Sequence, residues 1–126
     1  MKNQDSIEDI ENCINLYKKG GADMVITTTV AHRNPYFNMV KANSDGTVDL
    51  VNGPDSPIAR RQDAPKVFDM ATVCYVANPD FIMTCNSHFE GRVKAVNVPS
   101  DRAIDIDTLL DFHIAEKLFE LRGKDL

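Results

Sequence analysis

The stretch IEDIENCINLYKKGGADMVITTTV, residues 7–30, decides the architecture. Ile7, Ile10, Ile14 and Tyr17 recur at helical spacing and predict an amphipathic helix, with Asp5 or Ser6 as N-cap and the Gly20-Gly21 pair as stop. MVITTTV, residues 24–30, is β-branched and apolar enough for a buried strand. A helix, a short glycine turn and a buried strand make half of a βαβ unit, so the fold class is α/β. Only six residues precede Ile7, so the unit's opening strand is expected to be missing and the sequence to begin in the middle of a fold. One side of the strand at Met24 is then expected to present unpaired backbone groups.

Outward from this unit, residues 36–51 read as a hairpin of two short strands around Asn43-Ser44-Asp45-Gly46, where Asp45-Gly46 supplies the turn chemistry. Three prolines, a glycine and two adjacent arginines over residues 52–65 predict irregular backbone. VFDMATVCYV, from Val67, reads as a second buried strand. Pro79 after Asn78 suits the first turn of a short helix. Residues 92–98 make a third strand, and residues 108–121 a helix opened by a Thr108-x-x-Asp111 capping box. There is no internal repeat and no domain linker.

At 126 residues, with 43% hydrophobic and 26% charged residues, the chain is a single soluble globular domain by composition. The balance of 14 Lys plus Arg against 19 Asp plus Glu leaves a net charge of −5 without a basic run, which disfavours nucleic acid. Cys13, Cys74 and Cys85 have neither CxxC spacing nor clustered histidines, so no disulfide framework or zinc site is indicated. The N-terminus is acidic where a signal peptide is apolar, and no run approaches the roughly 18 apolar residues of a membrane span, so no membrane association and a cytoplasmic location are expected.

Chemistry concentrates in AIDIDTLLDF, residues 103–112. In an extended segment Asp105 and Asp107 project to one side, just before a helix N-terminus that favours anions. Such a pair is a natural ligand set for Mg²⁺, which keeps several waters and takes further ligands from substrate phosphates. Taken alone, the same residues also fit a simple cap by Asp107 or Thr108 with Asp105 solvated. RRQDAP, residues 60–65, offers an arginine fork for a carboxylate or phosphate, or a solvated loop arginine. His88-Phe89 can wall a ligand or fill core; His32 and His113 have no stronger claim, since a histidine acts as acid or base only with a partner.

Read in order, IEDIENCINLYKKGGADMVITTTV, NPYFNMVK, RRQDAPKVFDMATVCYV and VPSDRAIDIDTLLDFHIAEKL resemble the acylneuraminate cytidylyltransferases, which make CMP-activated sialic acids and related acidic sugars. The similarity runs from Ile7 to Leu118. It implies a partial Rossmann-like nucleotide-diphospho-sugar transferase fold with a protruding β-hairpin dimerisation arm over about residues 33–65. It implies that Asp105 and Asp107 hold catalytic Mg²⁺, that Arg61 with Gln62 beside it lies at the sugar site, that Tyr75 belongs to the same site, and that His88 and Phe89 line the acidic sugar. Asn38, in the hairpin region that reaches across a dimer in the family, carries over as a substrate contact.

Two positions depart from the family pattern. Ala71-Thr72 stands where Asn-Gly is common, removing an amide and a glycine-permitted backbone approach. His88 stands where a second phenylalanine is frequent. The family's Gly-rich basic loop, which cradles the triphosphate of CTP, has no counterpart in these 126 residues. The implied reaction is transfer of CMP from CTP to an acidic sugar with release of pyrophosphate. The isolated chain, as the C-terminal part of such an enzyme, is expected to be inactive. It is expected to form a homodimer or to pair with a separate N-terminal half. The alternative reading is a non-catalytic truncated or split fragment acting as a dimerisation module. A transferase reading another base is a third.

Overall fold

A computed structural model describes residues 2–53 and 63–124. In chain order the elements are α1 (Lys2–Lys18), β1 (Met24–Val30), β2 (Val40–Ala42), β3 (Val48–Leu50), β4 (Phe68–Ala77), α2 (Pro79–Thr84), β5 (Val93–Asn97) and α3 (Leu109–Lys124). Single 3₁₀ turns occupy His88–Glu90 and Ser100–Arg102. The chain forms two compact units, residues 1–29 with 69–126, and residues 30–68.

In the larger unit a three-stranded sheet has the order β4-β1-β5. β1 and β5 run parallel, with Met24 opposite Val93 and Thr28 opposite Asn97, and the ladder continues as Val98 N donates to Thr28 O at 2.7 Å. On the other side Asn78 N donates to Asp23 O at 3.0 Å, and the Thr27 hydroxyl donates to Ala71 O at 2.7 Å. Asp23 at the start of β1 therefore meets the end of β4 while Thr27 meets its middle, so β4 runs antiparallel and the sheet is mixed. β1 is thus paired along both edges, against the expectation of an unpaired side. Strands later in the chain occupy the positions that an earlier strand was expected to fill.

Residues Met24, Val25, Ile26, Thr27 and Thr28 are all buried, as the β-branched run predicts, and they form the core with Cys13, Ala71 and Val98. The expectation of a second buried strand needs correction. Along β4 only Ala71 is buried, while Phe68, Met70 and Tyr75 are exposed. β4 is an edge strand of a three-stranded sheet, so an apolar composition alone cannot bury it.

α1 stops where the glycines predict: Gly20 and Gly21 take φ of 85° and 81°, a region that costs other residues a steric penalty. Its start and its buried face differ from expectation. The helix begins at Lys2, so Asp5 and Ser6 lie inside it and do not cap it; the Lys and Gln before them are good helix formers with no breaker. Asp9 and Cys13 are buried, with Leu16 and Tyr17 half-buried, whereas Ile7, Ile10 and Ile14 are exposed. The packed face is chosen by a distant partner: Arg102 grips Asp9 through both carboxylate oxygens, at 2.9 and 3.0 Å, as α1 packs on β5.

In the smaller unit β2 and β3 pair antiparallel, Val40 opposite Leu50, as the hairpin reading predicts. The turn closes with Asn43 N donating to Thr47 O at 2.9 Å, and Gly46 takes φ of 90°. Residues 36–37, read as strand, instead belong to a turn in which Phe37 N and Asn38 N donate to Asn34 O. No helix among the described residues is long and apolar enough to cross a membrane.

Candidate functional site

The segment 103–107 links the 3₁₀ turn Ser100–Arg102 to α3 without regular structure, and it carries both predicted aspartates on exposed backbone. Each is fixed differently. The Thr72 hydroxyl, on β4, donates to Asp105 Oδ1 and anchors that carboxylate to the sheet. Asp107 contributes its backbone N–H to the helix cap, donating to Asp111 Oδ2 at 3.1 Å. Its carboxylate takes no hydrogen bond or ion pair among the described residues. The cap is the reciprocal box read from the sequence: Asp111 N donates to Thr108 Oγ1 at 3.1 Å and Thr108 N to Asp111 Oδ2 at 3.0 Å. The Asp107 N–H, then the Thr108 hydroxyl and N–H, hold the Asp111 carboxyl below the usual carboxylate range.

With Asp111 occupied by the cap, Asp107 is not needed there as an acceptor. The cap is made by Thr108, one of the two residues that the simple-cap reading offers, and the Asp107 carboxylate takes no part in it. No group of three or more His, Cys, Asp or Glu side chains that could hold a metal occurs among the described residues. The donor set is two carboxylates. That suits Mg²⁺, which is bound by one or two protein carboxylates plus water and substrate phosphates, and it does not suit a cation needing an all-protein cage.

Tyr75 and His88 come together in the same unit. Their ring centroids lie 6.5 Å apart at an interplanar angle of 73°, an edge-on contact between β4 and the turn His88–Glu90. Phe89 follows with 62% of its surface exposed, so these rings present an aromatic surface rather than filling core. The turn is seated by Gly91, where an added Cβ would lie 2.5 Å from Phe81 Cε1 and 2.7 Å from Asp23 Oδ2. Asp23 Oδ2 also accepts Arg92 N at 2.8 Å, so a side chain at position 91 requires the Phe81 ring and the Asp23 carboxylate to shift.

The remaining predicted residues are elsewhere. Asn38 lies in the unit 30–68, where its side-chain oxygen accepts the Asn34 N–H. Arg61 and Gln62 lie outside the described residues. Sequence reasoning missed Thr72 as the partner of Asp105. The signal was present as a hydroxyl-bearing residue where the family pattern commonly has glycine, which has no side-chain donor to offer.

No family model matches the chain. Curated relatives do. Post-translational flagellin modification protein B of Campylobacter coli is 32% identical over 123 residues, which is 95% of this chain and 51% of that protein. CMP-N,N'-diacetyllegionaminic acid synthase of Campylobacter jejuni is 33% identical over 99 residues, 79% of this chain and 41% of the synthase. By these matches the chain resembles a cytidylyltransferase-like family. It spans about half the length or less of the curated relatives it matches. The resemblance that the aspartate segment and the Tyr75 strand carry in the sequence therefore extends to curated relatives over most of this cytidylyltransferase-like chain.

Proposed function

We propose that this chain belongs to a nucleotidyltransferase that transfers CMP from CTP to a nonulosonic acid, giving the CMP-sugar and pyrophosphate, and that it supplies the metal and sugar side of that site. In this reading the larger unit is part of a Rossmann-like nucleotide-diphospho-sugar transferase fold, and the hairpin is a dimerisation arm. One observation supports it above the rest: Asp105 is held by Thr72, Asp107 is left over by the helix cap, and both stand in a chain similar to a CMP-N,N'-diacetyllegionaminic acid synthase. Asp105 and Asp107 would hold Mg²⁺, whose chemistry is to neutralise charge on the triphosphate as the bond to pyrophosphate breaks.

The other residues position the sugar. His88, Phe89 and Tyr75 offer rings against its apolar face, and Arg61 with Gln62 pairs its carboxylate. Asn38 adds a polar contact. The anomeric hydroxyl then attacks the α-phosphate of CTP in line with the leaving pyrophosphate. These side chains contribute orientation and charge, which are the large terms in phosphoryl chemistry. Residues that bind the triphosphate and base are proposed to come from polypeptide outside these 126 residues, because no Gly-rich basic loop occurs within them. The test is pyrophosphate release from CTP and N,N'-diacetyllegionaminic acid by the chain joined to the nucleotide-binding part of a relative. No release above the level of that part alone would refute the proposal.

A second reading, a non-catalytic association module, is favoured by the exposed apolar residues of α1 and α3. Ile7, Ile10 and Ile14 on α1 and Leu109, Leu110, Phe112 and Phe119 on α3 are all exposed. Joined chains that associate tightly yet release no pyrophosphate would select this reading.

A further inference from the structure

The unit 30–68 contains a cleft that none of the residues assigned above lines. It has a volume of about 330 Å³ between segments 30–34 and 66–68. His32, Arg33 and Lys66 line it together with the rings of Phe37 and Phe68, and among the described residues no aspartate or glutamate does. Among the described residues Arg33 and Lys66 make no ion pair. Two cations thus face one small volume with no carboxylate paired to them among the described residues, in a chain whose net charge is −5. The usual fate of surface cations in an acidic protein is to sit beside its carboxylates, so this arrangement runs against the general field.

The walls are joined by the chain itself. Asn34 Nδ2 donates to Pro65 O at 3.3 Å, tying one segment to the other, while Asn34 Oδ1 accepts Tyr36 N at 2.9 Å. Asn34 O accepts Phe37 N at 3.2 Å and Asn38 N at 3.0 Å, and Asn52 N donates to Pro35 O at 2.9 Å. The position of Phe37 and the spacing of the two walls are thereby set before anything binds, which lowers the ordering cost of binding.

We infer that this cleft binds a phosphate monoester carried on a planar ring. An arginine fork beside a lysine ammonium matches a phosphate dianion better than a singly charged carboxylate. Phe68 is 48% exposed and Val30, also in the lining, 57%, so the cleft offers apolar surface as well as charge. Its volume lies at the small end of ligand pockets, roughly 300–1,000 Å³, which fits one ring and one phosphate. The site is independent of the CMP-transfer reading.

The experiment titrates the chain with phenyl phosphate, inorganic phosphate and phenol, by calorimetry and by amide chemical shifts. Phenyl phosphate should bind one to one, roughly tenfold or more tighter than inorganic phosphate, because charge and ring surface both contribute. Arg33→Met and Lys66→Met should each weaken it by about tenfold. Lys41→Met, which removes the same charge from β2 outside the cleft, should leave it unchanged. Absence of saturable binding overturns the inference. So does equal affinity for phosphate and phenyl phosphate, an equal loss in Lys41→Met, or shifts confined to residues outside the cleft. Protection of His32 and Lys66 by a second copy of the chain, unaffected by phenyl phosphate, would also overturn it.

Discussion

Asp9 and Arg102, 93 residues apart, form a bidentate ion pair in which the Asp9 side chain keeps only 5% of its surface. This contact decides how α1 lies on the sheet. A carboxylate so enclosed is tolerable only with both oxygens bonded to a cation, so removing the cation costs more than the pair itself is worth. Arg102→Met should destabilise the fold by about 2–3 kcal/mol, read as a shift of the urea midpoint. The double variant Asp9→Leu/Arg102→Met should recover most of that loss, since no buried charge is then left alone. A single variant as stable as the parent would show that the contact is incidental.

Gly91 is a second point of close approach. Its φ is ordinary at −95°, so the constraint is space rather than backbone angle. Gly91→Ala forces a Cβ against the Phe81 ring and the Asp23 carboxylate, and the latter is held by Arg92 N. The melting temperature should fall, by an amount equivalent to about 1–3 kcal/mol. An unchanged melting temperature would mean that Phe81 swings aside without cost.

Cys13 predicts the alkaline limit of stability. Burial, then the adjacent Cys74, then Asp9 push its thiol up from 9.0 to about 12. Between those values the unfolded chain loses this proton while the folded chain keeps it, so the folded state binds more protons and stability falls as pH rises. The contribution is fully present below about pH 9 and is lost toward pH 12. Urea midpoints measured from pH 8 to 11 should fall more steeply for the parent than for Cys13→Ala. Parallel slopes would refute the assignment.

These cases show what a single sequence could and could not reveal. MVITTTV and the Thr108-x-x-Asp111 box were legible because each rests on near neighbours: β-branched density in one, a three-residue reciprocal bond in the other. The packed face of α1 was not, because Ile7, Ile10 and Ile14 give the better local pattern while Asp9 is buried by a partner far along the chain. β4 reads as core from its composition, yet its exposure depends on how many strands flank it. In the candidate site the aspartate pair was visible as a motif, and its anchor Thr72 was not, since that bond spans 33 residues.

The proposed metal role of the aspartates leads to a test that separates them from the cap. Thr72→Val keeps the shape of the side chain and removes the donor to Asp105, whereas Thr72→Ser keeps the donor. Manganese binding, read by water-proton relaxation with Mn²⁺ in place of Mg²⁺, should weaken about tenfold in Thr72→Val and little in Thr72→Ser. Asp107→Asn should lose it while leaving the helix cap, which uses the Asp107 N–H, intact by circular dichroism. Equal manganese affinity in all four proteins would exclude the pair as ligands.

Association is the last expectation, and its argument begins with α3. The half-buried positions Asp111, Ala115, Leu118 and Arg122 form one narrow stripe, with Arg122 Nη2 donating to Asp101 O at 2.6 Å. Outside that stripe Leu109 is 72% exposed, Leu110 67% and Phe119 78%. The apolar residues of α3 spread well beyond the covered stripe, so the helix carries apolar surface that its own unit leaves uncovered. The Ile7, Ile10 and Ile14 stripe of α1 adds a second uncovered apolar face. Burying even a few of these side chains yields roughly 1.5–3 kcal/mol each, enough to drive association at micromolar concentration once the cost of docking is met. Light scattering on the purified chain should therefore give a mass above 14.1 kDa. Leu110→Lys with Phe119→Lys should return it to the monomer mass without loss of helix content. With no Gly-rich loop in the sequence to cradle a triphosphate, calorimetry with CTP and Mg²⁺ should show no tight binding to the chain alone. A well-behaved monomer that binds CTP tightly would overturn both expectations, because it would need neither a covered α3 nor a nucleotide site from another polypeptide.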